Sequence, residues 1–302
     1  MVKMHKVLIG MLFVLLVPAL IFAQGVTTAS MSGVVTDSKG EPLPGANVVA
    51  LHVPSGTVFG AATRGDGNFN IPGMRVGGPY TVTVSYIGYK TQKQENVYLT
   101  LGQTFRLAFK LPEETLEVTE LEVVADRNAI MSASRTGAAT SISREAIQTL
   151  PTITGRIEDF LRLTPQYNPS GFGFSFAGQD NRLNNVTVDG SYFNNSFGLA
   201  GQPGDRTGVA PISLEAIEQL QVNVSPYDVR QGNFVGANVN TVTKSGTNEF
   251  SGSIYTQTRN QNWVGTKAKE VDFDPGTFSY NRLGVRVGGP IIKNKLFFFV
   301  NY

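Results

Sequence analysis

The chain has 302 residues, 33 glycines, no cysteine and a near balance of charge, with 25 Lys and Arg against 23 Asp and Glu. The missing cysteine excludes disulfides, thiolate metal sites and a lipid anchor on an N-terminal cysteine, so burial alone holds the chain together. Both surplus cations, Lys3 and Lys6, lie within the first 23 residues, and the neutral remainder lacks the concentrated basic footprint of a nucleic-acid binder, so no nucleic-acid partner is expected.

Met1 to Ala23 pairs that basic start with an apolar run from Val7 to Val17 and a small residue, Ala23, before Gln24. The pattern predicts an export signal over 1–23, too short for a spanning helix, which needs about 20 apolar residues. Residues 24–111 follow as a unit of short strands: Ser32–Thr36, Ala46–Val53, Thr57–Thr63, Gly67–Ile71, Tyr80–Tyr86 and Thr104–Leu111. Turn signals such as Ser38-Lys39-Gly40, Pro44-Gly45 and Asp66-Gly67 separate them, which predicts a β-sandwich. In Tyr80–Tyr86 the alternation of Val82, Val84 and Tyr86 with Thr81, Thr83 and Ser85 assigns one face to a core. Asp66-Gly67-Asn68, open to a calcium or adhesion reading, is explained more simply as a hairpin turn.

Several motifs of this unit occur in a fixed order: Gly33-Val34-Val35-Thr36-Asp37, Pro42-Leu43-Pro44-Gly45-Ala46-Asn47-Val48, Thr63-Arg64-Gly65-Asp66-Gly67-Asn68-Phe69, and Tyr80 through Tyr89. Together they resemble the carboxypeptidase regulatory-like domain, which implies a non-catalytic sandwich of immunoglobulin or transthyretin type.

Across 112–140 the apolar periodicity fades and acidic residues mix with β-branched ones from Pro112 to Ala125. The segment reads as a solvated linker, a last sandwich strand or a stretch able to pair main chain to main chain with a partner's sheet edge. Residues 141–248 form a small α+β unit. Ser143–Leu150 and Ser213–Leu220 echo each other as capped helix starts, and a further helix holds Ile153, Ile157, Phe160 and Leu161 on one side. Strands are expected at Asn185–Val188, before an Asp189-Gly190 turn, at Glu218–Val224 and at Ala237–Thr243.

The runs Val186-Thr187-Val188-Asp189-Gly190, Ala216 through Val222, and Gly236 through Gly246 make this unit similar to the plug of TonB-dependent outer-membrane receptors. Val222 through Gly232, with Thr247 through Ser253, resembles the branch named for the Oar proteins. Ser225-Pro226 stands where the commoner plug has Gly-Pro, so the resemblance does not extend to a siderophore ligand. It implies that TonB pairs with a TonB-box-like segment, Leu121, Glu122, Val123, Val124 and Ala125, from the periplasmic side. The glycine-rich run Gly171–Gly178 lacks a Gly-Lys-Ser/Thr ending and opens no helix, so it is no phosphate loop. Its aromatics Phe172, Phe174 and Phe176, with Tyr192, Phe193, Asn194 and Asn195, are candidate ligand-facing plug loops or packing against an inner barrel wall.

From 249 to 302 the alternation suits a wall between lipid and water. Leu283, Val285 and Val287 point one way, and Arg282, Gly284, Arg286 and Gly288 the other. Phe250–Thr258 is expected as a first strand, followed by a long outer connection, a strand from Tyr280, a short turn at Pro290–Lys295, and a strand from Leu296. An open sheet edge in hydrocarbon strands polar backbone groups, so these are read as the first strands of a transmembrane β-barrel and the chain as an N-terminal fragment. His52 is the only histidine after the signal and no nucleophile is placed beside it; no enzyme activity, metal or cofactor is expected. The expected partners are TonB, outer-membrane lipid and an extracellular ligand. An outer-membrane-anchored structural or adhesive protein remains the alternative to an energised receptor.

Overall fold

The computed structural model describes residues 26–114, 139–152, 154–169, 174–195, 203, 210–224, 231–232, 234–269 and 271–302. It is mainly β, and its chain divides into a unit ending at Thr243 and a second from Lys244 to Tyr302.

The first unit begins with seven strands: β1 (Ala29–Asp37), β2 (Asn47–His52), β3 (Thr57–Ala62), β4 (Asn68–Met74), β5 (Gly77–Ser85), β6 (Gln92–Leu99) and β7 (Thr104–Leu111). They form two sheets, β4-β1-β7 and β3-β2-β5-β6. Only β1 with β7 is parallel. Alternating residues of each strand supply one core: Met31 and Val35 from β1, Val48 and Ala50 from β2, Tyr80, Val82 and Val84 from β5, and Phe109 from β7. The expected alternation in β5 holds, with Tyr86 packing on the core from just beyond the strand.

Side chains explain the motif order. Thr63 Oγ1 accepts a hydrogen bond from Ala46 N (2.8 Å) and donates to the Leu43 carbonyl (2.5 Å), tying the Pro42–Ala46 loop to the end of β3. Asp66 accepts from Asn68 N (3.0 Å) beside Gly67 at φ 72°. The turn consumes the carboxylate internally, but it is not the expected hairpin, because it carries the chain from β3 in one sheet to β4 in the other. Strand β6 has no counterpart in the sequence expectations. Asn96 at φ 57° breaks its alternation, leaving buried positions at Gln94, Val97 and Leu99 instead of a period of two.

A mixed module follows in the same unit: β8 (Ala139–Ile142), α1 (Arg144–Thr149), α2 (Glu158–Leu161), β9 (Tyr167–Pro169), β10 (Phe174–Phe176), β11 (Asn185–Val188), β12 (Ser191–Tyr192), β13 (Ile217–Asn223) and β14 (Asn238–Thr243). Its sheet runs β12-β11-β14-β13-β8, with β8 at one edge. Ser143 caps α1 by accepting from Ala146 N, as expected. The echo at Ser213 forms only a 3₁₀ turn over Leu214–Ala216 before β13 takes the chain, because Ile217, Leu220 and Val222 bury best on a sheet. The expected helix around Phe160 is a single turn; Ile157, Phe160 and Leu161 are buried in the module's core, and Ile153 lies outside the described residues.

The second unit contains β15 (Ser251–Asn260), the small hairpin β16 (Lys267–Ala268) and β17 (Val271–Asp272), then β18 (Ser279–Ile292) and β19 (Leu296–Asn301). Strands β15, β18 and β19 form an antiparallel sheet in sequence order. Strand β18 runs past Pro290, so the turn is tighter than expected. A register shift between Pro290 and Ile292 accommodates the proline, which has no N–H for the ladder. No helix among the described residues is long and apolar enough to cross a membrane.

Candidate functional site

The mixed module's sheet has two unlike faces. Ile142, Val186, Leu220, Val222 and Val239 pack with α1, α2 and the β9–β10 hairpin into an apolar core. The opposite face carries Ser141, Thr187, Gln219, Gln221, Asn223, Asn238 and Asn240, fixed there by the strand alternation. An amide-rich face would ordinarily be wet, yet Gln219, Gln221, Asn223, Asn238 and Asn240 are all buried. Their hydrogen bonds run along the face and out to the sandwich. Thr187 Oγ1 donates to Asn240 Oδ1 (2.9 Å), Asn223 Nδ2 to Gln221 Oε1 (3.2 Å), and Gln221 Nε2 to the Leu101 carbonyl (2.7 Å). Sequence reading missed this role. The signal was present in the alternation of Asn and Gln with Val and Leu through β13 and β14, where a solvated face tolerates charge and this one has none.

Asp189 sits at φ 47° in the turn after β11. Its carboxylate accepts from Thr243 N (2.8 Å) and Thr243 Oγ1 (2.6 Å), closing the loop onto the end of β14. The Val-Asp-Gly motif is therefore structural.

The candidate ligand-facing residues separate. Phe174 and Phe176 are fully buried, stacked edge-on at 5.8 Å in the module's core, which corrects their expectation as loop aromatics. Burying two rings stabilises the small module more than leaving them in a glycine-rich loop would. Phe193 packs on the same core and lines a small apolar cavity with Ile157, Val186 and Ile212. Asn194 accepts from Val186 N (2.6 Å) and donates to Asn185 Oδ1 (2.8 Å), so its amide serves the loop itself. Tyr192 is 51% exposed and Asn195 is half-buried beside it. Phe172 and the segment Leu121, Glu122, Val123, Val124 and Ala125 lie outside the described residues.

In the second unit, Ile254 pairs with Val285 and Thr256 with Leu283 on one face. Ile254, Leu283 and Val287 there are exposed. On the other face Arg286 Nε donates to Ser253 Oγ (2.7 Å), and Arg282 lies over the Tyr255 ring at 5.9 Å. The connection from β15 to β18 is long, and that from β18 to β19 is only Lys293–Lys295. Among the described residues no cluster of three or more acidic or histidine side chains gathers for a metal.

Residues 30–112 match the carboxypeptidase regulatory-like domain and residues 242–302 an outer membrane beta barrel domain. The chain is similar to the TonB-dependent transporter Oar of Myxococcus xanthus, with 26% identity over 93% of this chain and 27% of that protein. It is similar also to the TonB-dependent receptor SusC of Bacteroides thetaiotaomicron, with 26% identity over 72% of this chain and 21% of that one. Among solved structures, the siderophore receptor PirA from Acinetobacter baumannii covers 52% of this chain and 22% of its own at 24% identity and a TM-score of 0.40. The chain spans about a quarter of the length of the curated relatives it matches. Its two matched domains and these relatives make the chain similar to TonB-dependent receptors and indicate a place in the outer membrane of a Gram-negative bacterium.

Proposed function

We propose that the chain is the N-terminal part of an energised outer-membrane receptor. The sandwich stands in the periplasm, the mixed module is a plug, and a ligand enters from outside through the barrel begun by β15, β18 and β19. TonB pairs with Leu121 to Ala125 and draws on the plug, so the work comes from the inner membrane's proton gradient and no covalent chemistry takes place in this part. The observation that supports this reading most is the position of β8. It is the first strand after the segment 115–138, and it lies at the sheet edge, paired with β13 through only four residues. Tension arriving from 121–125 meets that short edge strand first. On the outer side the ligand contact falls to Tyr192, Asn195 and Phe172.

Calorimetry of a purified TonB C-terminal domain against the whole chain, with and without Leu121 to Ala125, tests the reading. Segment-dependent binding is the expected result. Absence of binding to either form would instead favour a surface protein that uses the barrel as an anchor and the sandwich as a binding module.

A further inference from the structure

The plug sheet's amide face grips the sandwich by its main chain. Gln219 Oε1 accepts from Leu101 N (3.0 Å), Gln221 Nε2 donates to the Leu101 carbonyl (2.7 Å), and Asn240 Nδ2 donates to the Val26 carbonyl (2.6 Å). These three amides are 6%, 3% and 1% exposed. Both polar groups of Leu101 are thus held by neighbouring plug side chains. Gly102 next to it, at φ 68°, lets Gln221 approach closely, since a Cβ there would stand 3.3 Å from its Oε1.

Two features set this contact apart from the rest of the fold. It joins two separate apolar cores mainly through hydrogen bonds, with Val242 packing against the sandwich core from the plug side. Bonds of this kind exchange with water at small net cost, so such a joint is suited to opening. The second feature is that Gln219 is shared. While its oxygen accepts from Leu101, its Nε2 donates to Ser141 Oγ (3.0 Å) in β8. Ser141 is also the register partner of Gln221. Of the side chains that hold the sandwich, Gln219 is thus bonded to the edge strand and Gln221 stands opposite it in register.

We propose that the sandwich is a latch on the plug sheet: withdrawal of β8 removes Ser141 from Gln219, loosens the hold on Leu101, and frees the sandwich from the plug. The proposal rests on the reading that tension enters through 115–138, but the coupling itself belongs to the resting molecule. Coupling free energy is reciprocal, so loosening β8 must loosen the joint, and loosening the joint must loosen β8.

Hydrogen exchange on the full-length protein in lipid nanodiscs reads both sides. Gln219→Leu is expected to speed exchange about tenfold at residues 99–103 and at 139–142 together. Ser141→Pro, which breaks β8 alone, is expected to speed exchange at 99–103 by a similar factor. Wild-type protection in β2, β5 and β14 identifies a folded variant. Should the proline variant fail that check, Ser141→Ala decides the matter, with an expected change of about threefold in the same direction at 99–103. If β8 is loosened while 99–103 keeps wild-type protection, joint and edge strand are independent and the latch is overturned. No TonB is present in these measurements, so their outcome is separate from the calorimetric one.

Discussion

At Gly33 the sandwich leaves no room for a side chain: a Cβ there would stand 2.1 Å from the Leu107 carbonyl oxygen and 2.7 Å from the Phe69 ring. That close approach is why the first motif begins with glycine. His52 shows a different constraint. Its ring is buried against Tyr80 at 4.8 Å, with Nδ1 hydrogen-bonded to Ser55 Oγ (2.6 Å). Burial, aided by the positive charge of Arg75, lowers its pKa from 6.5 to about 4. The native ring is neutral, whereas an unfolded chain binds a proton below the ordinary value. The stability it contributes is therefore complete above pH 6.5 and lost as pH falls from 6.5 to 4. Across that window the sandwich should lose on the order of 2 kcal/mol, and His52→Gln should flatten the slope in urea titrations at successive pH values.

Among elements, β18 is the most legible, because lipid on one side and water on the other enforce a strict period of two. Leu283 is 66% exposed on the apolar face. Leu283→Arg is expected to weaken the membrane-inserted form by about 2–4 kcal/mol, read by urea unfolding in bilayers, while Gln257→Glu on the opposite face should be tolerated beside Arg282. Elsewhere the pattern is less strict. Strand β6 was illegible because Asn96 interrupts its alternation. Ser213 signalled a helix that the sheet overrode after one turn, since capping favours a start but does not specify a length. The glycine-rich run around Phe174 reads locally as an exposed loop, and only the tertiary core reveals a strand. The amide face was hidden for the same reason. Its alternation marks one polar side, but the partner that covers it lies 118 residues earlier for the bond from Leu101 to Gln219.

For the whole molecule, the order of modules carries the functional reading. A sandwich precedes the segment 115–138, the mixed module's sheet begins immediately after it, and the three-stranded sheet of the second unit comes last. Because the chain contains no cysteine, a single one placed at Thr140 reports on β8. Its maleimide labelling in cells is expected to rise when the inner membrane is energised. Deleting residues 116–125 should abolish that rise while the barrel still assembles. Labelling that ignores both the gradient and the deletion would remove the case for coupling through this segment.

The wall itself has a further property. A Cβ on Gly284 would stand 2.2 Å from the Tyr255 ring, and one on Gly288 would stand 3.0 Å from Phe299, its cross-strand partner. Each ring therefore lies flat along the neighbouring strand over a glycine instead of projecting from it. Aromatic residues stiffen a sheet, but upright they would project from it by their full length. Laid down over glycines, they furnish that face at the thickness of a ring rather than its length.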